Sequence, residues 1–159
     1  MSKPVPSARE AAIEELQARL SRITRGNGFN TDAGAQICLM ERPVFGPDDP
    51  PAAISIIIPE DSPDPRQREH VITVVQFTVQ AIVPAAVEWQ SWVPWREIER
   101  IIADIKRAVE LPDRTLGGAL ITDGLTCGST RALEREPGSE VVGGAVDYRG
   151  VFGEVWGAP

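Results

Sequence analysis

Apolar positions Ile13, Leu16, Leu20 and Ile23 recur at the spacing of one helical face, with Arg9, Glu14, Glu15, Arg19 and Arg22 on the other. Ser7 and Glu10, with Pro6 just outside, form a capping box and predict a helix opening there. Gly26 or Gly28 is the expected C-cap. Because the polar face mixes both signs instead of being basic, the helix is expected to face a core and not a membrane.

The period then changes. Residues 35–42 read as a first strand and 53–58 as a second, whose run Ile54, Ser55, Ile56, Ile57, Ile58 implies burial on both faces or a packed interface. Prolines at 43, 47, 50 and 51 precede that strand, and prolines at 59, 63 and 65 follow it. Proline cannot donate to a ladder, so 43–52 and 59–69 are expected to project, either as docking arms or as plain surface loops. From 71 to 83, Val71, Thr73, Val75, Phe77, Val79 and Ala81 alternate with Gln76, Thr78 and Gln80, the pattern of a half-buried antiparallel strand ended by Pro84.

A connector holding Trp89, Trp92 and Trp95 follows. Glu88 and Glu97 give it the wrong sign for stacking single-stranded nucleic acid, which leaves core or interface packing. Pro94 suits a first helical turn, and Ile98, Ile101, Ile102, Ile105 and Val109 give the second helix a broad apolar stripe closed by Leu111-Pro112-Asp113. Two last strands, 119–127 and 140–156, are expected to form a long hairpin through 128–130 and 138–139, with bulges at glycines. This order predicts an α+β fold: a single mixed, largely antiparallel sheet with two main helices packed on one face.

Between the first helix and the first strand lies Gly26-Asn27-Gly28-Phe29-Asn30-Thr31-Asp32-Ala33-Gly34. Three glycines and two asparagines in nine positions mark a tight turn, with Gly28 or Gly34 expected at positive φ. The stretch is not a phosphate loop, since no Gly-Lys-Ser/Thr follows and Thr31 stands where a dinucleotide fingerprint needs its third glycine.

Composition narrows the function. A 159-residue chain with 42% hydrophobic and 25% charged residues is expected to form one globular domain. Its net charge of −7 and pI near 4.8 oppose phosphate backbones, so sequence-specific nucleic-acid binding is not expected. Cys38 and Cys127 lie in apolar strand-like stretches, where buried reduced thiols are the first expectation and a disulfide the second. The start lacks the apolar run of a signal peptide and no segment has the ~20 apolar residues of a membrane span, which points to a cytoplasmic protein.

Candidate chemistry is sparse. His70 is the sole histidine, so paired-histidine metal or acid/base sites are excluded, and a surface role is expected for it. Asp32, Asp104 and Asp123 could converge on magnesium for phosphoryl chemistry, but nothing in their spacing selects that. Asp32 is better explained as a turn residue bonded to nearby amides, and Asp104 as a solvated helix flank. No catalytic residue, cofactor or metal is expected. Alternatives are a carboxylate-dependent hydrolase and a small-ligand module walled by the tryptophans.

The opening helix, the 26–34 turn, Asp104-Ile105-Lys106-Arg107-Ala108, Leu116-Gly117-Gly118 and the closing Val146-Asp147-Tyr148-Arg149, in that order, resemble the tail terminator and minor tail proteins of long-tailed bacteriophages and prophages, the family of the lambda tail protein U. The resemblance covers most of the chain, and the turn motif (Gly26, Asn27, Gly28, Asn30, Thr31, Asp32, Gly34) is its most specific part. It implies a single domain over 1–159 behind a flexible 1–6, assembled in the bacterial cytoplasm into virion tails. Such a subunit forms a six-fold ring on the finished tail tube, ends its growth and meets the head. Its implied partners are other copies, the tail tube protein and a head–tail joining protein, with neither membrane nor sequence-specific nucleic acid. Candidate contacts fall in 43–69: Ile54, Ile56, Ile58, Asp61, Asp64, Arg66 and Arg68.

Overall fold

The computed structural model describes residues 7–58, 61–63, 70–84, 92–121 and 124–155. Helix α1 spans Ala8–Ser21, and the capping box that predicts its start is formed in full. The Glu10 amide donates to Ser7 Oγ at 3.2 Å, and the Ser7 amide donates to Glu10 Oε2 at 2.8 Å. Two backbone donors that the first turn would otherwise leave unmet are satisfied in this way. Its C-cap is Arg22 and not a glycine, while Gly28 instead closes the 3-10 turn Arg25–Asn27 that follows.

Among the described residues six strands make one sheet: β1 (Ile37–Leu39), β2 (Ala53–Ile57), β3 (Asp61–Pro63), β4 (His70–Pro84), β5 (Thr126–Leu133) and β6 (Val141–Val155). The order is β1-β2-β4-β6-β5, with β3 lying against β4 beyond β2. Of these described strands only β1 and β2 run parallel, and the other pairs are antiparallel. The long β4 and β6 are the spine, paired from His70 with Val155 to Pro84 with Val141. Helix α2 (Trp92–Glu110) packs on both of them, and α1 packs on α2 and β6. The chain is therefore an α+β fold with its helices on a mixed sheet.

Periodicity sorts the two sheet faces. Val75, Phe77, Val79, Ala81 and Val83 of β4 are buried in the core, joined there by Ile54 and Ile56 from β2 and by Val142, Val146, Tyr148 and Phe152 from β6. Phe77 and Phe152 meet edge to face with centroids 6.5 Å apart. From α1 come Leu16 and Leu20, and from α2 Ile98, Ile101, Ile105 and Val109, all fully buried. Ile23, just past α1, is buried too, and Ile13 packs against the core from its rim.

Several expectations are corrected. The first strand is only three residues long, because the chain reaches positive φ at Met40 and leaves the sheet. The 59–69 segment is not wholly a projecting loop: 61–63 pair with 73–75 of β4, with Pro63 on the sheet edge where a missing amide is tolerated. Strand β5 begins at Thr126 and runs through Gly128, Ser129 and Thr130, which were expected to be the hairpin connection. Gly128 instead marks a bulge in the β5–β6 register. Trp92 opens α2 and Trp95 packs against the core from its first turn, while Trp89 lies outside the described residues. Both cysteines are free, but Cys127 is exposed and Cys38 is partly so, since each lies at an edge of the sheet. Burial, and then the nearby Glu41, raise the Cys38 thiol above its ordinary pKa.

Candidate functional site

The 26–34 turn is folded against α2. Asn30 donates to Asp104 Oδ1 from its amide at 3.1 Å and from Nδ2 at 2.8 Å. Thr31 donates to Asp104 Oδ2 from its amide at 2.9 Å and from Oγ1 at 2.8 Å. Both carboxylate oxygens thus receive two hydrogen bonds. Asp104 has no accessible surface, and among the described residues no cation stands within ion-pair distance of it. The charge is held by oriented donors instead of by an opposite charge, an arrangement stronger than the same bonds between neutral groups. The expectation of a solvated helix flank is therefore wrong for Asp104. It falls within the Ile101, Ile102, Ile105 stripe, so the geometry of the helix carries it inward.

One turn further along α2, Arg107 donates to the Gly28 carbonyl at 2.6 Å and stacks 4.9 Å from the centre of the Phe29 ring. Gly28, at φ +81°, takes the left-handed conformation that turns its carbonyl toward that guanidinium. Asp32 does what its turn position predicts, accepting the Arg25 amide at 2.8 Å. Gly34 is required for another reason. Its φ is not positive, but a Cβ there would lie 2.4 Å from the Leu20 carbonyl oxygen and 2.8 Å from that of Ile23. The last residue of the motif is thus the point where the turn rests on the end of α1.

A second clasp joins α1 to the end of α2. Arg19, expected on the exposed face, is only 4% exposed. It donates to Glu15 Oε1 at 2.7 Å and to the carbonyls of Val109 and Asp113. Asp113 in turn accepts from the Thr115 hydroxyl and amide and from the Gly117 amide, and these bonds, the Thr115 hydroxyl first, hold its carboxyl below the usual carboxylate range. Leu116, Gly117 and Gly118 are all left-handed, and Leu116 is buried beneath this loop.

On the other sheet face, Asp147 collects Thr78 Oγ1 at 2.8 Å, Ser129 Oγ at 2.7 Å and the Arg131 guanidinium, linking β4, β5 and β6. Tyr148, next in sequence, points into the core and donates to Glu110 Oε1 at 3.1 Å, and burial followed by the Glu110 charge pushes its phenol well above its ordinary pKa.

The candidate contact residues divide. Ile54 and Ile56 have no accessible surface and Ile58 is 7% exposed, so these three belong to the subunit's own core, while Ile57 between them is partly exposed on the other face. Asp61 lies in β3 opposite Val75, and Asp64, Arg66 and Arg68 lie outside the described residues. So does Asp123, and the structure does not bring Asp32 to Asp104's carboxylate as a shared ligand set: each is bonded to its own donors. His70 begins β4. Among the described residues no group of three His, Cys, Asp or Glu side chains could hold a metal ion, and no helix is long and apolar enough to cross a membrane.

Sequence reasoning missed the partnership of the turn with Asp104 and Arg107. The signal was present in their spacing of three on one helix, which places both on neighbouring faces one turn apart. No protein-family model matches this chain, and comparison with the curated proteins gives no match either.

Proposed function

We propose that this chain is a structural subunit of a long phage or prophage tail, capping the tail tube as a ring, ending its elongation and joining it to the head. One observation carries the reading: the turn at 26–34 and the Asp104 to Ala108 segment, separated by some 70 positions, are built into a single hydrogen-bonded unit. The sequence features that carry the resemblance to the tail terminator family are thus parts of one clasp, which favours a common architecture over a chance collection of small motifs. The charge supports it. A ring through which DNA slides gains from an acidic chain, because a surface of net negative charge repels the phosphate backbone instead of holding it.

In this reading the partners are other copies of the chain, expected as a hexamer, with the tube protein below and a head–tail joining protein above. The protein is not an enzyme and uses no cofactor. A net charge of −7 keeps free subunits apart at low salt, and screening over ~8 Å at physiological ionic strength lets them associate. Complementation tests the proposal. Tails assembled without a terminator should be over-long and headless, and adding this protein should give tubes of uniform length with a ring at one end in electron micrographs. Magnesium- or manganese-dependent DNA cleavage lost in Asp32→Asn would favour the hydrolase alternative instead.

A further inference from the structure

On the helix side of the sheet, where α1 ends and α2 ends, a cleft opens between Arg22, Phe29, Arg107 and Leu111. Three features bear on what it would bind. Among the described residues, no carboxylate lines it. Neither Arg22 nor Arg107 is ion-paired among the described residues, so both guanidiniums can take an incoming carboxylate. Leu111 on its rim is 76% exposed, an apolar side chain left open to solvent in the subunit. The cleft therefore suits a segment that brings a carboxylate and an aliphatic side chain together.

The same chain carries such a segment. Val44 is 85% exposed, the most exposed large apolar residue described, and Asp48 and Asp49 follow it on the same loop. The loop is shaped in advance: Asp49 accepts the Gly46 amide and donates its own amide to the Gly46 carbonyl at 3.2 Å, closing a tight turn that leaves Asp48 facing solvent. A preformed turn loses little freedom on docking. Loop and cleft are separate surfaces of the subunit. The chain entering the loop runs on the open face, where the Glu41 carbonyl accepts Ser55 Oγ at 2.6 Å and Pro43 lines a hollow with Gln80 and Ile82, while the cleft lies where α1 and α2 end. Two unlike, complementary surfaces of one subunit make a head-to-tail contact, which gives a ring when the rotation between copies closes.

We propose that the 44–49 loop of one copy docks in the cleft of the next, with Val44 against Leu111 and Asp48 paired with Arg22. This rests on the self-assembly part of the proposed function and names the surfaces that carry it. The contact buries the pair partly, so salt screens it less than it screens the long-range repulsion between subunits, and association still rises with moderate salt.

Two experiments test it on the full chain. In sedimentation at fixed salt, Arg22→Glu and Asp48→Arg should each weaken self-association at least fivefold, and the two together in one chain should restore it to within about twofold of wild type. For contacts too weak to sediment, Val44→Cys and Leu111→Cys proteins, both with Cys127→Ser, should give a mixed disulfide-linked dimer under mild oxidant well above that formed by either alone. Single variants that associate like wild type, or a double variant that stays weak, overturn the loop-in-cleft contact while leaving the tail reading intact if tubes are still capped. Absence of both association and cross-linking, together with failure to cap tubes, overturns both.

Discussion

Two aspartates in this fold each gather donors from distant parts of the chain, and they do so under opposite conditions. Asp104 is wholly buried and receives four hydrogen bonds from Asn30 and Thr31 with no described cation at hand. Asp147 lies on the open sheet face with its side chain 28% exposed and is bonded to Thr78, Ser129 and Arg131. Ranked by the charge of its partners alone, Asp147 would matter more, since it has an ion pair. Physical reasoning reverses the order. Around Asp147 water can reach the exposed Ser129 and Arg131, though Thr78 is nearly buried, while around Asp104 the buried Thr31 amide and hydroxyl have no other acceptor among the described residues. Local burial, more than the number of partners, sets what each carboxylate contributes to the fold.

The sharpest way to break this comparison is to remove the buried member. Asp104→Ala should destabilise the protein by about 3 to 5 kcal/mol, since it strands buried donors, and Asp104→Asn should recover only part of that. Denaturant titration of both variants beside Asp147→Ala decides it: equal losses at the two sites would refute the burial argument.

The seat of the clasp is the next target. Gly34→Val drives a Cβ toward two backbone carbonyls that cannot swing aside, and about 1 to 3 kcal/mol should be lost. Gly28→Val meets no neighbour, only a left-handed backbone, and should cost about 1 to 2 kcal/mol. Thermal melts of the pair distinguish steric from conformational need within a single motif. A Gly34→Ala variant as stable as wild type would show that α1 yields there more readily than its packing implies.

At the exposed end of the comparison, Asp147→Ala should cost no more than about 1 kcal/mol, and the loss should shrink further in high salt. A salt-independent loss would mean that the open face is drier than its exposure indicates.

The smallest effect is acid dependence at Asp113. Its carboxyl is held below the ordinary range, so the stability it contributes is fully present above the unfolded value of ~3.9 and is lost as pH falls through the lower folded value. Melting temperatures of wild type and Asp113→Asn should therefore differ at pH 6 and converge toward pH 2. A difference that stays constant over that span would assign the effect to packing instead of charge.

Much of the architecture was legible in the chain because it depends on short-range rules. The capping box at Ser7 and Glu10, the helical stripe from Ile98 to Val109 and the alternation from Val75 to Val83 are local patterns, and local backbone geometry turns each into an element with one buried side. The 26–34 turn was legible as a turn for the same reason, and so was Asp32's bond to a nearby amide. What it grips was not legible. Asn30 and Asp104 are 74 positions apart, and no periodicity says that one stretch will supply four donors to the other.

Tertiary packing also decided cases where a residue's type pointed the wrong way. Arg19 and Asp104 are charged and were expected outside, yet each is held inside because neighbouring elements present carbonyls or amides at the right distance. The Ile54 to Ile58 run was apolar enough to suggest an interface, but β4 on one side and β1 on the other, with the helices above, enclose Ile54, Ile56 and Ile58 within the subunit. Sequence determines which side chains must leave water or can accept a hydrogen bond. Whether a given one is enclosed, and by what, depends on surfaces brought together from far along the chain, and only the folded structure shows that.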